Sequence, residues 1–150
     1  MWSRSARHGG APLDAAELEK RLAFFDDWTD RYQYIIGLGR KLPELEETYK
    51  TDDYKVRGCI SQVWLKSEIV DGSPRTLVFR GDSDSAIVKG LIAVLHTCLS
   101  GRTPQAILEE DIAGLFGRVG LDQHLSPNRR NGFFSMVEEL TRCAAVAADL

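Results

Sequence analysis

Apolar positions recur along the chain with two periods, and the switches between them mark out its elements. Leu18, Leu22 and Phe25 share one face at helical spacing. Asp14 stands before them as a cap, Glu17 takes the capping-box position, and Leu13 and Leu18 take the staple positions. Tyr32, Ile35 and Ile36 form the inner stripe of a second helix, predicted from about Thr29 to Leu42. Pro43 stops it, because proline disfavours helix in the residue before it. Residues 50–57 are polar and aperiodic. From Ser61 the period falls to two. Val63 and Leu65 alternate with Gln62, Trp64 and Lys66, and Leu77 and Phe79 alternate with Thr76, Val78 and Arg80. With Asp71-Gly72-Ser73-Pro74 as the turn between them, these runs predict an antiparallel hairpin.

The helical period returns at Ser83. Ile87, Val88, Leu91, Ile92, Val94, Leu95, Cys98 and Leu99 cover well over a third of a helix circumference. A stripe that wide packs deeply, here across the sheet. Gly101 ends this helix, and Thr103-Pro104 opens the next with threonine as cap and proline at the first helical position. A short helix over Asp111 to Arg118 is closed by Gly120. Ser126-Pro127 opens a last helix with Phe133, Met136, Val137, Leu140, Ala144 and Ala147 on its inner face. Helices, then a small hairpin or meander, then helices predict an α+β fold, with a small antiparallel sheet packed against several helices.

A length of 150 residues suits one domain. The polar, basic start and the Gly9-Gly10-Ala11-Pro12 junction predict a flexible tail over 1–12, leaving a single domain over 13–150. The formal net charge of −3 offers no broad basic field for nucleic acid. The longest apolar-rich run, Ala86 to Leu99, is interrupted by Lys89, Gly90 and His96 and falls short of the ~20 residues of a membrane span. The N-terminus has no apolar core of a secretory signal. Neither nucleic acid nor a membrane is therefore expected as a partner, and the expected compartment is the cytoplasm.

Three cysteines change the picture. An odd, sparse set forms no disulfide framework and suits a reducing compartment, and three thiols are one short of a four-ligand zinc site. Cys98 lies inside the apolar arc of its helix and Cys143 flanks the inner face of the last one, so both read as core filler. Cys59 differs. It stands in Arg57-Gly58-Cys59-Ile60-Ser61, where a polar loop meets the first strand. Gly58 gives the backbone freedom to present the thiol. Lys55 and Arg57 bring positive charge that would favour thiolate, the nucleophilic form. A cysteine tucked under a loop is the competing reading. No second Cys or His lies within a few residues to share a metal, and no spacing ties His8, His96 or His124 to Cys59 as a base. One loop thiol without a base is left with accepting and handing on a group, such as sulfur in a persulfide.

Five ordered blocks carry a family resemblance. Val56-x-Gly58-Cys59-x-Ser61-x-Val63-Trp64-Leu65 resembles the signature of the SufE family, the sulfur-acceptor proteins of iron–sulfur cluster assembly. Arg31-Tyr32, Ile35-Ile36-x-Leu38-Gly39 and Leu42-Pro43-x-Leu45 resemble its second helix. Gly81-Asp82-Ser83-Asp84 followed by Ile87-Val88-Lys89-Gly90-Leu91 resembles its strand-to-helix junction. Gly101-x-Thr103-Pro104 and His124-Leu125-Ser126-Pro127-x-Arg129-x-x-Gly132 follow in the same order. The resemblance covers Leu18 to Ala147. Ser85, Asn128 and the doubled Arg129-Arg130 depart from the family pattern, and none of them touches the cysteine motif.

The resemblance implies an α+β fold like that of SufE and the IscU scaffold. It implies a cysteine desulfurase partner, SufS-like or CsdA-like, whose turnover the chain stimulates, and an iron–sulfur scaffold as recipient of the sulfur. Cys59 is then the acceptor. The chain itself is expected to hold no cofactor and no metal, pyridoxal phosphate belonging to the desulfurase alone. Gly58, Ser61, Ser83, Asp84 and Arg129 are the expected partner-binding or loop-supporting residues, with Ser83 or Asp84 as a plain helix cap and Arg129 as a plain surface charge the competing readings. Three other functions stay open at this stage: a relay from the same desulfurase toward RNA or cofactor thiolation, a binding module with an inert Cys59, and a cysteine hydrolase.

Overall fold

The computed structural model describes residues 14–150, so the expected tail and the Leu13 half of the staple lie outside the described residues. Helix α1 spans Ala15–Phe24 and α2 spans Trp28–Arg40. Two single 3-10 turns follow, at Glu47–Tyr49 and Asp52–Tyr54. Strands β1 (Val63–Val70) and β2 (Thr76–Ser83) come next, then α3 (Ala86–Leu99), α4 (Pro104–Glu109), α5 (Ile112–Arg118), α6 (Leu121–His124) and α7 (Pro127–Ala148). This is the expected α+β order. Among the described residues the sheet is a two-stranded hairpin and no longer meander, with β1 antiparallel to β2 from Val63 opposite Ser83 to Val70 opposite Thr76.

The predicted caps sit where the sequence puts them, with one exception. Asp14 accepts from the Glu17 N–H at 2.9 Å, Thr103 Oγ1 from the Ala106 N–H at 3.1 Å and Ser126 Oγ from the Arg129 N–H at 3.3 Å, while Asp111, read in the sequence as part of its helix, caps it by accepting from the Gly114 N–H at 2.9 Å. The exception is α3. Its cap is Ser85, whose Oγ accepts from the Val88 N–H at 3.4 Å, and not Ser83 or Asp84. Ser85, one of the residues read as departing from the family pattern, therefore caps the central helix. Helix α2 starts one residue early because Asp27 accepts from the Thr29 N–H, and it ends at Arg40, short of Leu42. Helix α6 is too short for periodicity to reveal it.

Helix α3 is the centre of the molecule. Its whole predicted stripe is buried. It packs on β2, as the width of the stripe requires, and more extensively on α2, with α1 and α7 also in contact. The α2–α3 crossing is close because both helices carry glycine there. A Cβ on Gly90 would lie 2.5 Å from the Ile35 carbonyl oxygen, and one on Gly39 would lie 2.7 Å from the Gly90 nitrogen. Val63, Leu65, Leu77 and Phe79 bury the inner face of the hairpin. Helix α7 supplies Phe133, Met136, Leu140, Ala144 and Ala147, all buried, while Val137 is half-buried. No described helix is long and apolar enough to cross a membrane.

Candidate functional site: a thiol folded over an apolar cavity

The loop that carries Cys59 is closed at its base by backbone. The Val56 N–H donates to the Val63 carbonyl at 2.8 Å. One step along, the Gln62 N–H donates to Asp84 Oδ1 at 3.1 Å, and the Asp84 N–H donates back to the Gln62 carbonyl at 3.3 Å. Between these anchors Gly58 adopts φ +89°, a left-handed conformation that side-chain-bearing residues rarely take. Space forbids a side chain there as well, since a Cβ would lie 2.6 Å from Ser135 Oγ on α7. The turn at Gly58 points Cys59 inward.

Cys59 is half-buried. Its S–H donates to the Gly132 carbonyl on α7 at 3.6 Å. Gly132 makes that approach possible, because a Cβ on it would stand 3.3 Å from the sulfur. Beneath the thiol lies a cavity of about 270 Å³. Val63, Val88, Leu91, Phe133 and Met136 form its apolar wall, and Ile60, Ser61, Ser126, Asn128 and Arg129 edge it. Burial pushes the Cys59 thiol above its ordinary pKa. This corrects the expectation drawn from Lys55 and Arg57. Both are exposed, and neither offsets the desolvation of the thiol. In this conformation Cys59 is held as a neutral thiol.

The remaining predicted site residues divide into two groups. Ser61 and Arg129 edge the cavity with Cys59, and Arg129 is exposed. Asp84 holds the loop base through Gln62, while Ser83 ends β2 opposite Val63 and accepts from the Ser85 N–H at 3.2 Å. Neither Ser83 nor Asp84 borders the cavity. Gly132 and Ser135 form the floor against which the loop packs, and sequence reasoning did not single them out for the site. The only signal for Gly132 is its place in the last family block.

The two described histidines are committed elsewhere. His124 stacks on Trp28 with ring centroids 4.0 Å apart, and His96 meets the edge of Phe79 at 5.5 Å. Burial lowers the His96 pKa to about 4. Neither borders the Cys59 cavity, so the described residues give a cysteine hydrolase no base at the thiol. Cys98 is buried, with its pKa raised to about 12 chiefly by desolvation. Cys143 is half-buried beside Glu139. Among the described residues no group of three or more His, Cys, Asp or Glu side chains is arranged to hold a metal ion.

The SufE family model, described as an Fe-S metabolism associated domain, matches residues 16–144. The chain belongs to the SufE family. Two uncharacterised SufE-like proteins are similar to it along most of their length. The one from Rhizobium meliloti is 44% identical over 119 residues, covering 79% of this chain and 85% of the relative. The one from Rhizobium etli is 44% identical over 127 residues, covering 83% and 85%. A hypothetical protein from Thermus thermophilus, solved in solution, shares the SufE-like fold with a TM-score of 0.75 at 18% identity, over 93% of this chain and 99% of that one. Membership of the SufE family places the chain in iron–sulfur metabolism.

Proposed function

We propose that this SufE-family chain is a sulfur carrier in which Cys59 accepts sulfur as a persulfide from a cysteine desulfurase, stimulates that enzyme by clearing it, and passes the sulfur to an iron–sulfur assembly scaffold. The observation that carries the reading is a single thiol on a glycine-hinged loop, folded over an apolar cavity. Membership of a family associated with Fe–S metabolism supports the scaffold as recipient.

The transfer is an exchange at sulfur. The Cys59 thiolate attacks the outer sulfur of the desulfurase persulfide and forms a new S–S bond. The donor's own S–S bond breaks, and its electron pair stays on the inner sulfur, which leaves as thiolate. Cys59 gives its proton to solvent before attack, and no outside oxidant or reductant is consumed. The chain itself needs no cofactor for this step; the desulfurase supplies pyridoxal phosphate to cut sulfur from cysteine.

The inward thiol answers a conflict in the task. An exposed thiolate is oxidised, whereas exchange requires one. Burial keeps Cys59 protonated between encounters, and docking swings it out on Gly58. Ser61, Asp84 and Ser83 support the loop, and Arg129 at the cavity edge contacts the partner. The cytoplasm, which keeps a lone thiol reduced, is the proposed compartment.

Cys59→Ser tests the reading. Desulfurase stimulation is expected to fall to the level without the carrier, with folding intact. Retained stimulation would overturn the carrier function in favour of a binding module. The swing is tested by alkylation of Cys59 with and without desulfurase, where equal labelling in both states would overturn it.

A further inference from the structure

Ile60 follows Cys59 and is 79% exposed, although it stands at the edge of the cavity into which Cys59 is folded. Water gains nothing by solvating an aliphatic side chain, so its exposure beside an apolar cavity is an unfavourable arrangement held in place by the loop. The cavity wall is made of buried Val63, Val88, Leu91, Phe133 and Met136, and its volume of about 270 Å³ leaves room beyond the thiol. Cys59 is held there by one long S–H···O contact of 3.6 Å. The loop ends are pinned by the Val56–Val63 and Gln62–Asp84 pairs, which confines any rotation to the few residues between them, where left-handed Gly58 supplies the pivot.

If the thiol turned out alone, the apolar wall would meet water. The loop turns at 57–58 and bends at 60–61, with the Cys59 sulfur folded onto Gly132 over the cavity and Ile60 facing water at its edge, so a rotation of this short segment that brings Cys59 out carries Ile60 toward the cavity. We propose that Ile60 is a positioning residue that trades places with Cys59, entering the apolar cavity as the thiol turns outward. The exchange covers the wall and removes the exposed surface of Ile60 in one motion, so the outward state is far less unfavourable than a bare opening. This deepens, and rests on, the reading of Cys59 as the sulfur acceptor.

The test uses the full chain alone, without desulfurase, and so is independent of whether Cys59 accepts sulfur. Alkylation of Cys59 by iodoacetamide is followed peptide by peptide by mass spectrometry in the wild type, Ile60→Asn and Ile60→Leu. Labelling reads the population of the outward state. Asparagine cannot repay the loss of apolar cover, so Ile60→Asn is expected to label about tenfold more slowly, the scale of one aliphatic side chain's burial. Ile60→Leu is expected to restore labelling to within about twofold, because leucine buries similar surface. Both substitutions sit at an exposed position, and unchanged circular dichroism checks the fold. Equal or faster labelling of Ile60→Asn would overturn the exchange. In a separate assay with desulfurase present, weakened stimulation by Ile60→Asn together with unchanged labelling of the free chain would also overturn the exchange and make Ile60 a docking contact instead.

Discussion

Cys59 and its immediate neighbours set the chemistry at the scale of single residues. Gly58 is the residue on which the loop depends, since its left-handed backbone and the nearness of Ser135 both exclude a side chain. Gly58→Ala is expected to cost about 1–2 kcal/mol, the scale of placing a side chain in left-handed backbone. It should also raise the alkylation rate of Cys59 as the loop loosens, a pairing that urea titration and labelling read together. His96 carries a separate expectation. Its pKa falls from 6.5 to about 4 on burial, so the folded state binds its proton more weakly than the unfolded state. The stability this gives is complete above pH 6.5 and is lost as pH falls toward 4. Unfolding midpoints between pH 7 and 4 should therefore decline, and the decline should be shallower in His96→Leu. An identical slope in both proteins would contradict it. Cys98 acts at the other end: its raised pKa keeps the folded thiol neutral, so its contribution is complete below pH 9 and is lost as pH rises toward 12.

At the scale of elements, α3 joins the hairpin to α2, and Cys59 inherits its position from that packing. Val88 and Leu91 of α3, Val63 of β1, and Phe133 and Met136 of α7 meet under the loop. The glycine pair at the α2–α3 crossing fixes how closely the helices approach. Gly90→Ala would push a methyl into the Ile35 backbone and is expected to cost about 1–3 kcal/mol in denaturant unfolding, as overpacking does. Ser85→Ala removes the α3 cap and is expected to cost about 1 kcal/mol. The same elements show what is legible in a sequence. Caps, periods and glycine stops are local, so the order of helices and strands follows from residues such as Thr103-Pro104 and Ser126-Pro127. The choice of Ser85 over Ser83 as cap is not local. Ser83 is drawn into the β2 ladder and Asp84 into the loop base, which leaves Ser85 to meet Val88. The preference of α3 for α2 over the sheet rests on two glycines far apart in sequence, Gly39 and Gly90.

At the scale of the whole molecule, the chain brings together groups that sequence spacing leaves distant. Gly132 and Ser135 lie more than seventy positions from the loop they support, and no periodic pattern relates a loop to the first turns of a C-terminal helix. For that reason Cys59 is legible as a loop thiol, with a place tucked under the loop open as the competing reading, while the α7 floor it packs on and its raised pKa are not. Lys55 and Arg57 were near in sequence and irrelevant to the thiol's burial. The family blocks point to Cys59 as the proposed acceptor, and the packing of α7 explains how that thiol is sheltered.

The most direct test of sulfur transfer is mass spectrometry of this chain after incubation with a SufS-like or CsdA-like desulfurase and free cysteine. One added sulfur is expected on the peptide holding Cys59, and none on the peptides holding Cys98 or Cys143. Sulfur on Cys143 with Cys59 unmodified, or no added sulfur at any cysteine while the desulfurase turns over, would contradict Cys59 as the acceptor.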